Sequence, residues 1–292
     1  SYPTRQYSRT SPRQSMTSPP NNAMTSFMND TVIRRFLETC KRAPSKTAVR
    51  FSQGGKDNWL SLNWDDYRRL IESLAAGLQT AHVRKGDRVA ILSNTRLEWA
   101  ALDLAILGLG AVTVPIYPSS TAEDVSFILH DSQAKIFFVE SAEILRKLHS
   151  HLQETWADPK VYRPEQVILI EVPKKSSARW PEGFPEPTTL DSLQQQGESA
   201  LKASPALYEL AANELATDDV ATIIYTSGTT GRPRGVVHTH AQALSEVTEA
   251  FPLLGVSSND VTLTFLPFAH VLGRIEIWGH AVIGHTMGFA ES

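Results

Sequence analysis

The sequence predicts an α/β fold, a doubly wound and largely parallel sheet wrapped by helices, and three observations lead there. Short apolar runs rich in β-branched residues alternate with segments of helical periodicity, the pattern of repeated βαβ units. The runs are apolar throughout rather than at every second residue, as strands covered on both faces require. A chain of 292 residues that is 41% hydrophobic and 20% charged has the length for one large or two ordinary domains and enough apolar side chains for a core.

In chain order, residues 1–26 are rich in Ser, Pro, Thr, Arg and Gln and hold no acid, so they read as a disordered leader. They lack the apolar stretch of a secretory signal, and an organelle-targeting role stays open. Val89 to Leu92 is the first clear strand. Ser93 and Asn94 offer an N-cap to a helix whose Leu97, Ala101, Leu104 and Leu107 share one face. Val112 to Val114 returns as a strand. The unit repeats with Glu123 to Asp131 as helix, Ile136 to Val139 as strand, Ala142 to Leu152 as helix and Val167 to Ile170 as strand. Residues 173–187 turn to Pro, Lys, Ser and Glu, a surface excursion. Val220 to Tyr225 is a strand entering a glycine-rich loop, and a helix leaves that loop from Thr239 onward. Val261 to Phe265 is the next strand, stopped before Pro267. The expected division is a first α/β subdomain over 27–215 and the start of a second over 216–292. The final run, GHAVIGHTMGFAES, is apolar and strand-like with no helix after it. It predicts an open β-edge and a truncated domain, the N-terminal fragment of something longer.

Composition excludes several functions. Lys+Arg at 28 against Asp+Glu at 31 leaves a formal charge of -3, with no electrostatic pull toward nucleic acid. The one cysteine, Cys40, has no second thiol for a disulfide, which fits a reducing, cytoplasmic setting. Trp99 to Tyr117 is as long as a membrane span, but Asp103 and Pro115 interrupt it. It reads as a buried helix running into a buried strand through Gly108, Leu109 and Gly110, which leaves peripheral contact as the only membrane role.

The chemistry concentrates between Tyr225 and Gly235, YTSGTTGRPRG. Gly228, Gly231 and Gly235 permit positive φ and let backbone N–H groups turn inward on an anion. The hydroxyls of Thr226, Ser227, Thr229 and Thr230 add donors, and Arg232 and Arg234 add positive charge around Pro233. Together they describe a phosphate cradle. A Walker A loop needs a glycine followed by Lys and then Ser or Thr at fixed spacing, and Gly235 is followed by Val236. Gly108 and Gly110 do not continue to a dinucleotide fingerprint, since position 113 is Thr. His238 and His240 lack a third metal ligand, and Thr239 or His240 suits a helix cap.

YTSGTTGRPRGVVHTH is similar to the signature loop of the adenylate-forming (AMP-binding) superfamily: acyl-CoA synthetases, luciferases and peptide-synthetase adenylation domains. GLGAVTVPIYPSSTAEDVSFILHDSQAKIFFVE upstream and FLPFAHVLGRIE downstream also resemble that family, over roughly residues 30 to 292. LPFAH followed by Arg274 is most like the long-chain fatty acyl-CoA synthetases. The resemblance implies a ligase acting on a fatty acid with ATP, Mg²⁺ and coenzyme A through an acyl-adenylate. It implies nucleotide contacts along Tyr225 to Gly235, an active-site wall at His270, and acyl-pocket residues at His270 and Arg274. Arg234 stands where the family usually has Lys. The family's Thr-Glu magnesium motif, its ribose-binding Asp and its C-terminal Lys are not identifiable in this sequence, so the fragment alone is expected to be inactive. Adenylation of aryl or amino acids, and a non-catalytic nucleotide- or partner-binding module, stay open as alternatives, as does homodimer formation.

Overall fold

The computed structural model describes residues 30–52, 58–171, 180, 184–227 and 231–290, so the leader at 1–26 and much of the excursion at 173–187 lie outside the described residues. The order is α1 (Val32–Arg42), β1 (Thr47–Ser52), β2 (Trp59–Asn63), α2 (Trp64–Thr80), β3 (Arg88–Leu92), α3 (Leu97–Gly108), β4 (Val112–Ile116), α4 (Ala122–Ser132), β5 (Ile136–Val139) and α5 (Ala142–Trp156). There follow β6 (Gln166–Leu169), β7 (Thr188–Thr189), α6 (Leu190–Ala203), α7 (Leu207–Asn213), β8 (Val220–Ser227), β9 (Pro233–Thr239), α8 (His240–Leu254), β10 (Val261–Thr264), α9 (Val271–Ile283) and β11 (Thr286–Phe289).

The larger sheet runs β7-β6-β5-β3-β4-β8-β9, parallel except for the antiparallel edge strand β9. From β3 the chain moves one way to β4 and the other way through β5 and β6, so the winding reverses between β3 and β4. Alternation divides the core. Val89 and Ile91 pack with α3, while Ala90 and Leu92 pack with Leu129 of α4 and Leu145 of α5. Leu97 to Gly108 is apolar on all sides apart from Glu98 and Asp103, which suits a helix buried all round.

Ser93 and Asn94 do not cap α3. Glu140, just past β5, takes them instead, accepting from Ser93 Oγ at 2.9 Å and Asn94 Nδ2 at 3.1 Å. The helix starts after Arg96 without a side-chain cap.

The smaller sheet runs β10-β11-β1-β2. Strand β11, expected as an open edge, is fully buried and pairs in parallel with both β1 and β10. The stretch before it, to Ile283, is the end of α9 rather than strand. Exposure falls on β10 and β2 instead, at Val261, Leu263 and Trp59. Both sheets draw strands from either side of residue 216, so the expected subdomain division does not coincide with a division between sheets. No helix among the described residues is long and apolar enough to cross a membrane.

Candidate active site

The cleft begins where two parallel strands part. Strands β4 and β8 pair only at Thr113 and Thr222. Thr113 O accepts from Thr222 Oγ1 at 2.6 Å, so this edge of β4 faces β8. Pro115, two residues on, presents the same edge and has no N–H to offer. The ladder stops there, and a cleft of about 780 Å³ opens between Tyr117 and Ser119 beyond β4 and Tyr225 and Thr226 of β8. A smaller hollow of about 280 Å³ adjoins it at the winding reversal, between Ser93–Thr95 and Tyr117–Ser119, the place where doubly wound sheets receive ligands.

The glycine-rich segment connects a hairpin. Tyr225 stands opposite Gly235, Thr226 opposite Arg234 and Ser227 opposite Pro233. The expected strand-loop-helix is therefore corrected to strand-turn-strand, with α8 starting only at His240. Gly228, Thr229 and Thr230 lie outside the described residues. Gly231 has φ +90, with no atom of the described residues within 4 Å of where a Cβ would stand, and it lines the cleft. Gly235 does not adopt positive φ. A Cβ there would come 2.8 Å from Ile223 Cγ2 and 3.2 Å from the Tyr225 ring, so it is glycine for close approach.

Gly231, Pro233, Thr226 and Tyr225 all line the cleft. The Tyr225 hydroxyl donates to Asp131 Oδ2 at 2.6 Å, and burial, followed by that bond, raises its pKa. Arg232 stacks its guanidinium 5.7 Å from the Phe127 ring. Arg234 is exposed on β9, in the alternation that also carries Val236 and His238, both on the cleft wall.

His270 reaches the same cleft from the other side. It is the N-cap of α9, and its Nδ1 accepts from Leu272 N at 3.2 Å. With Nδ1 accepting, the neutral ring carries its proton on Nε2 as a donor. Arg274, expected at the acyl pocket, is corrected to the interior. It is 0% exposed, and its guanidinium grips the equally buried Asp103, with Nη2 at 2.7 Å from Oδ1 and Nε at 3.2 Å from Oδ2. A cation one turn from a cleft residue looks like a site residue in sequence, and only its partner in α3 shows otherwise.

Thr239 caps α8 in a capping box with Gln242. His240 is buried in the first turn, both ring nitrogens lack a partner among the described residues, and burial lowers its pKa to about 4. His238 stands on the cleft wall, with Nδ1 3.7 Å from Glu246 Oε1. Glu246, Tyr117 and Asp124 also line the cleft, and no motif in the sequence marks them as site residues. Glu246 Oε2 is buried without a partner among the described residues, and burial raises the carboxyl pKa. Its one signal in sequence was an acid beside the buried stripe Ala243, Val247 and Phe251. Among the described residues no group of three His, Cys, Asp or Glu could hold a metal ion.

An open α/β sheet with a cleft at the carboxyl ends of its strands, beside a glycine hairpin, places the chain in the doubly wound class, whose ligands bind at that edge of the sheet. Comparison with known families gives the rest: residues 36–292 match AMP-binding enzymes, and the chain belongs to that family. It is 37% identical over 222 residues to the long-chain-fatty-acid–CoA ligase FadD15 of Mycobacterium bovis, spanning 74% of this chain and 33% of that protein. It is 33% identical over 220 residues to the long-chain-fatty-acid–CoA ligase FadD13 of Mycobacterium tuberculosis, spanning 75% of this chain and 37% of that protein. The inhibitor-bound N-terminal domain of FACL13 from Mycobacterium tuberculosis superposes with TM-score 0.67 at 27% identity, over 89% of this chain and 57% of that one. The chain thus spans about a third of the length of the curated relatives it matches.

Proposed function

We propose that this chain is the N-terminal part of a long-chain fatty acid–CoA ligase and supplies its phosphate hairpin and one wall of its acid site. In that reaction the fatty carboxylate attacks the α-phosphorus of ATP, the bond to pyrophosphate breaks, and the acyl group passes from the adenylate to the thiol of coenzyme A with release of AMP. The observation that carries this reading is the convergence of Thr226, Gly231 and His270 on one cleft. The hairpin offers backbone N–H groups and the cations Arg232 and Arg234 to phosphate oxygens. His270 offers Nε2–H to the acid across the cleft. Mg²⁺ would come with the nucleotide phosphates and neutralise charge on the departing pyrophosphate; no side chain described here is assigned to it. A cytoplasmic setting, with any membrane contact peripheral, belongs to the same proposal.

Calorimetric titration of the chain with Mg-ATP tests the nucleotide part, and saturable binding is expected. Pyrophosphate exchange driven by palmitate, benzoate or phenylalanine, in the protein as its gene encodes it, tests the acid. Palmitate should lead; preference for either of the others would move the assignment to aryl or amino acid adenylation.

A further inference from the structure

The buried pair Asp103–Arg274 makes more bonds than neutralisation needs. Asp103 accepts from Arg274 twice, from Thr113 Oγ1 at 2.7 Å and from Trp278 Nε1 at 3.2 Å. Arg274 Nη1 then donates to Thr222 Oγ1 at 3.0 Å, and Thr222 Oγ1 donates on to Thr113 O. The guanidinium is flanked by the Trp99 and Trp278 rings at 5.3 and 4.9 Å. The Asp103–Arg274 pair therefore holds α3, β4, β8 and α9 together.

Each of those three elements carries a cleft residue, and each does so four positions from its bond to the network. Thr113 precedes Tyr117 on the β4 path, Thr222 precedes Thr226 on β8, and Arg274 follows His270 on α9. Burying an ion pair is close to neutral for stability, since apolar residues of similar volume do as well or better. What apolar residues cannot supply is direction. A bidentate fork fixes both the rotation and the axial position of α9 against α3, and the hydroxyl of Thr222 transfers that registration to the strand leading into the hairpin.

We infer that Asp103, Arg274 and Thr222 form a positioning network that sets the separation of His270 from the phosphate hairpin. Its functional meaning rests on the proposed ligand cleft, whereas its geometric content does not. The test is spin–spin distance measurement in the whole chain between labels at Val237 on β9 and Leu272 on α9, both exposed, with the buried Cys40 left in place. Wild type should give one narrow distribution. The double variant Asp103→Leu/Arg274→Met should keep cooperative unfolding with a midpoint at or above wild type, yet lose the narrow distribution. Thr222→Val, nearly isosteric, should lose it as well, and Thr222→Ser should restore it. Should the double variant not fold, the two Thr222 variants decide alone. Folded variants that keep the wild-type distribution overturn the inference. Altered distances in variants of a wild-type chain that binds no Mg-ATP would leave the network standing and remove the proposed nucleotide contacts of the hairpin. Mg-ATP binding with unaltered distances would do the reverse.

Discussion

Substitution of Gly231 and Gly235 by alanine should separate two roles that look identical in sequence. At Gly231 the added methyl meets nothing within 4 Å among the described residues, but φ is +90. The cost is backbone strain, about 1–2 kcal/mol for an L-residue held at positive φ. A hairpin turn can release that strain by relaxing locally, so the loss should appear mainly in ligand affinity. At Gly235 the backbone is ordinary, but the methyl stands 2.8 Å from Ile223 Cγ2 and 3.2 Å from Tyr225 Cζ. Tyr225 is 7% exposed and tied to Asp131, so its ring has little room to withdraw. Overpacking of this kind costs about 1–3 kcal/mol, and here it should fall on the fold. Urea unfolding read by circular dichroism, beside Mg-ATP titration, gives both quantities. Gly235→Ala should lower the unfolding midpoint clearly, whereas Gly231→Ala should lower ATP affinity with a smaller shift in midpoint. A Gly235→Ala variant as stable as wild type would refute the close-approach argument, and the reverse ranking of the two variants would refute the division of roles.

Tyr225→Phe removes a hydrogen bond to a carboxylate and should cost roughly 1.5–3 kcal/mol in urea unfolding, the scale for a charged partner; no change would detach Asp131 from the hairpin. Arg234→Ala should weaken Mg-ATP binding by roughly 1.5–3 kcal/mol with little effect on the fold, and unchanged affinity in calorimetry would remove Arg234 from the phosphate site. Three buried histidines predict acid sensitivity. Burial lowers His240 and His285 to about 4 and His280 to about 3, below the value near 6.5 of an unfolded imidazole. The unfolded chain binds these protons first, so stability is complete above pH 6.5 and falls as the pH drops toward 4. At pH 5 each site should remove about 2 kcal/mol; urea midpoints that match at pH 7 and pH 5 would contradict this.

The large sheet was legible because β3, β5 and β6 carry short, wholly apolar runs bounded by polar residues, and local rules suffice for such elements. The elements that local rules missed depend on distant partners. Strand β9 starts with Pro233, Arg234 and Gly235 and exposes Val236 and Val237, so it carries no buried face to announce it. It becomes a strand by pairing with β8. Strand β11 looked like an edge because the strands that flank it come from Thr47–Ser52 and Val261–Thr264, and the first of these lies more than two hundred residues away in sequence. Arg274 was misplaced for the same reason, since its chemistry is set by Asp103, 171 residues earlier.

If the cleft binds nucleotide as proposed, the hairpin also changes what holds its phosphates. In a strand-loop-helix cradle the helix N-terminus adds its dipole and its free N–H groups. In this chain α8 starts at His240, beyond the whole of β9, and its first turn is already closed by Thr239 and Gln242. That helix end therefore has little to give to an anion at Gly231. On the proposed reading, the attraction comes from the backbone N–H at Gly231, the hydroxyl of Thr226 and the two arginines. Fixed point charges respond to ionic strength more than a buried dipole does. Mg-ATP affinity should thus fall steeply between low and 0.5 M salt in wild type and much less in Arg232→Ala/Arg234→Ala. Equal salt slopes would show that the arginines are not the source of the attraction.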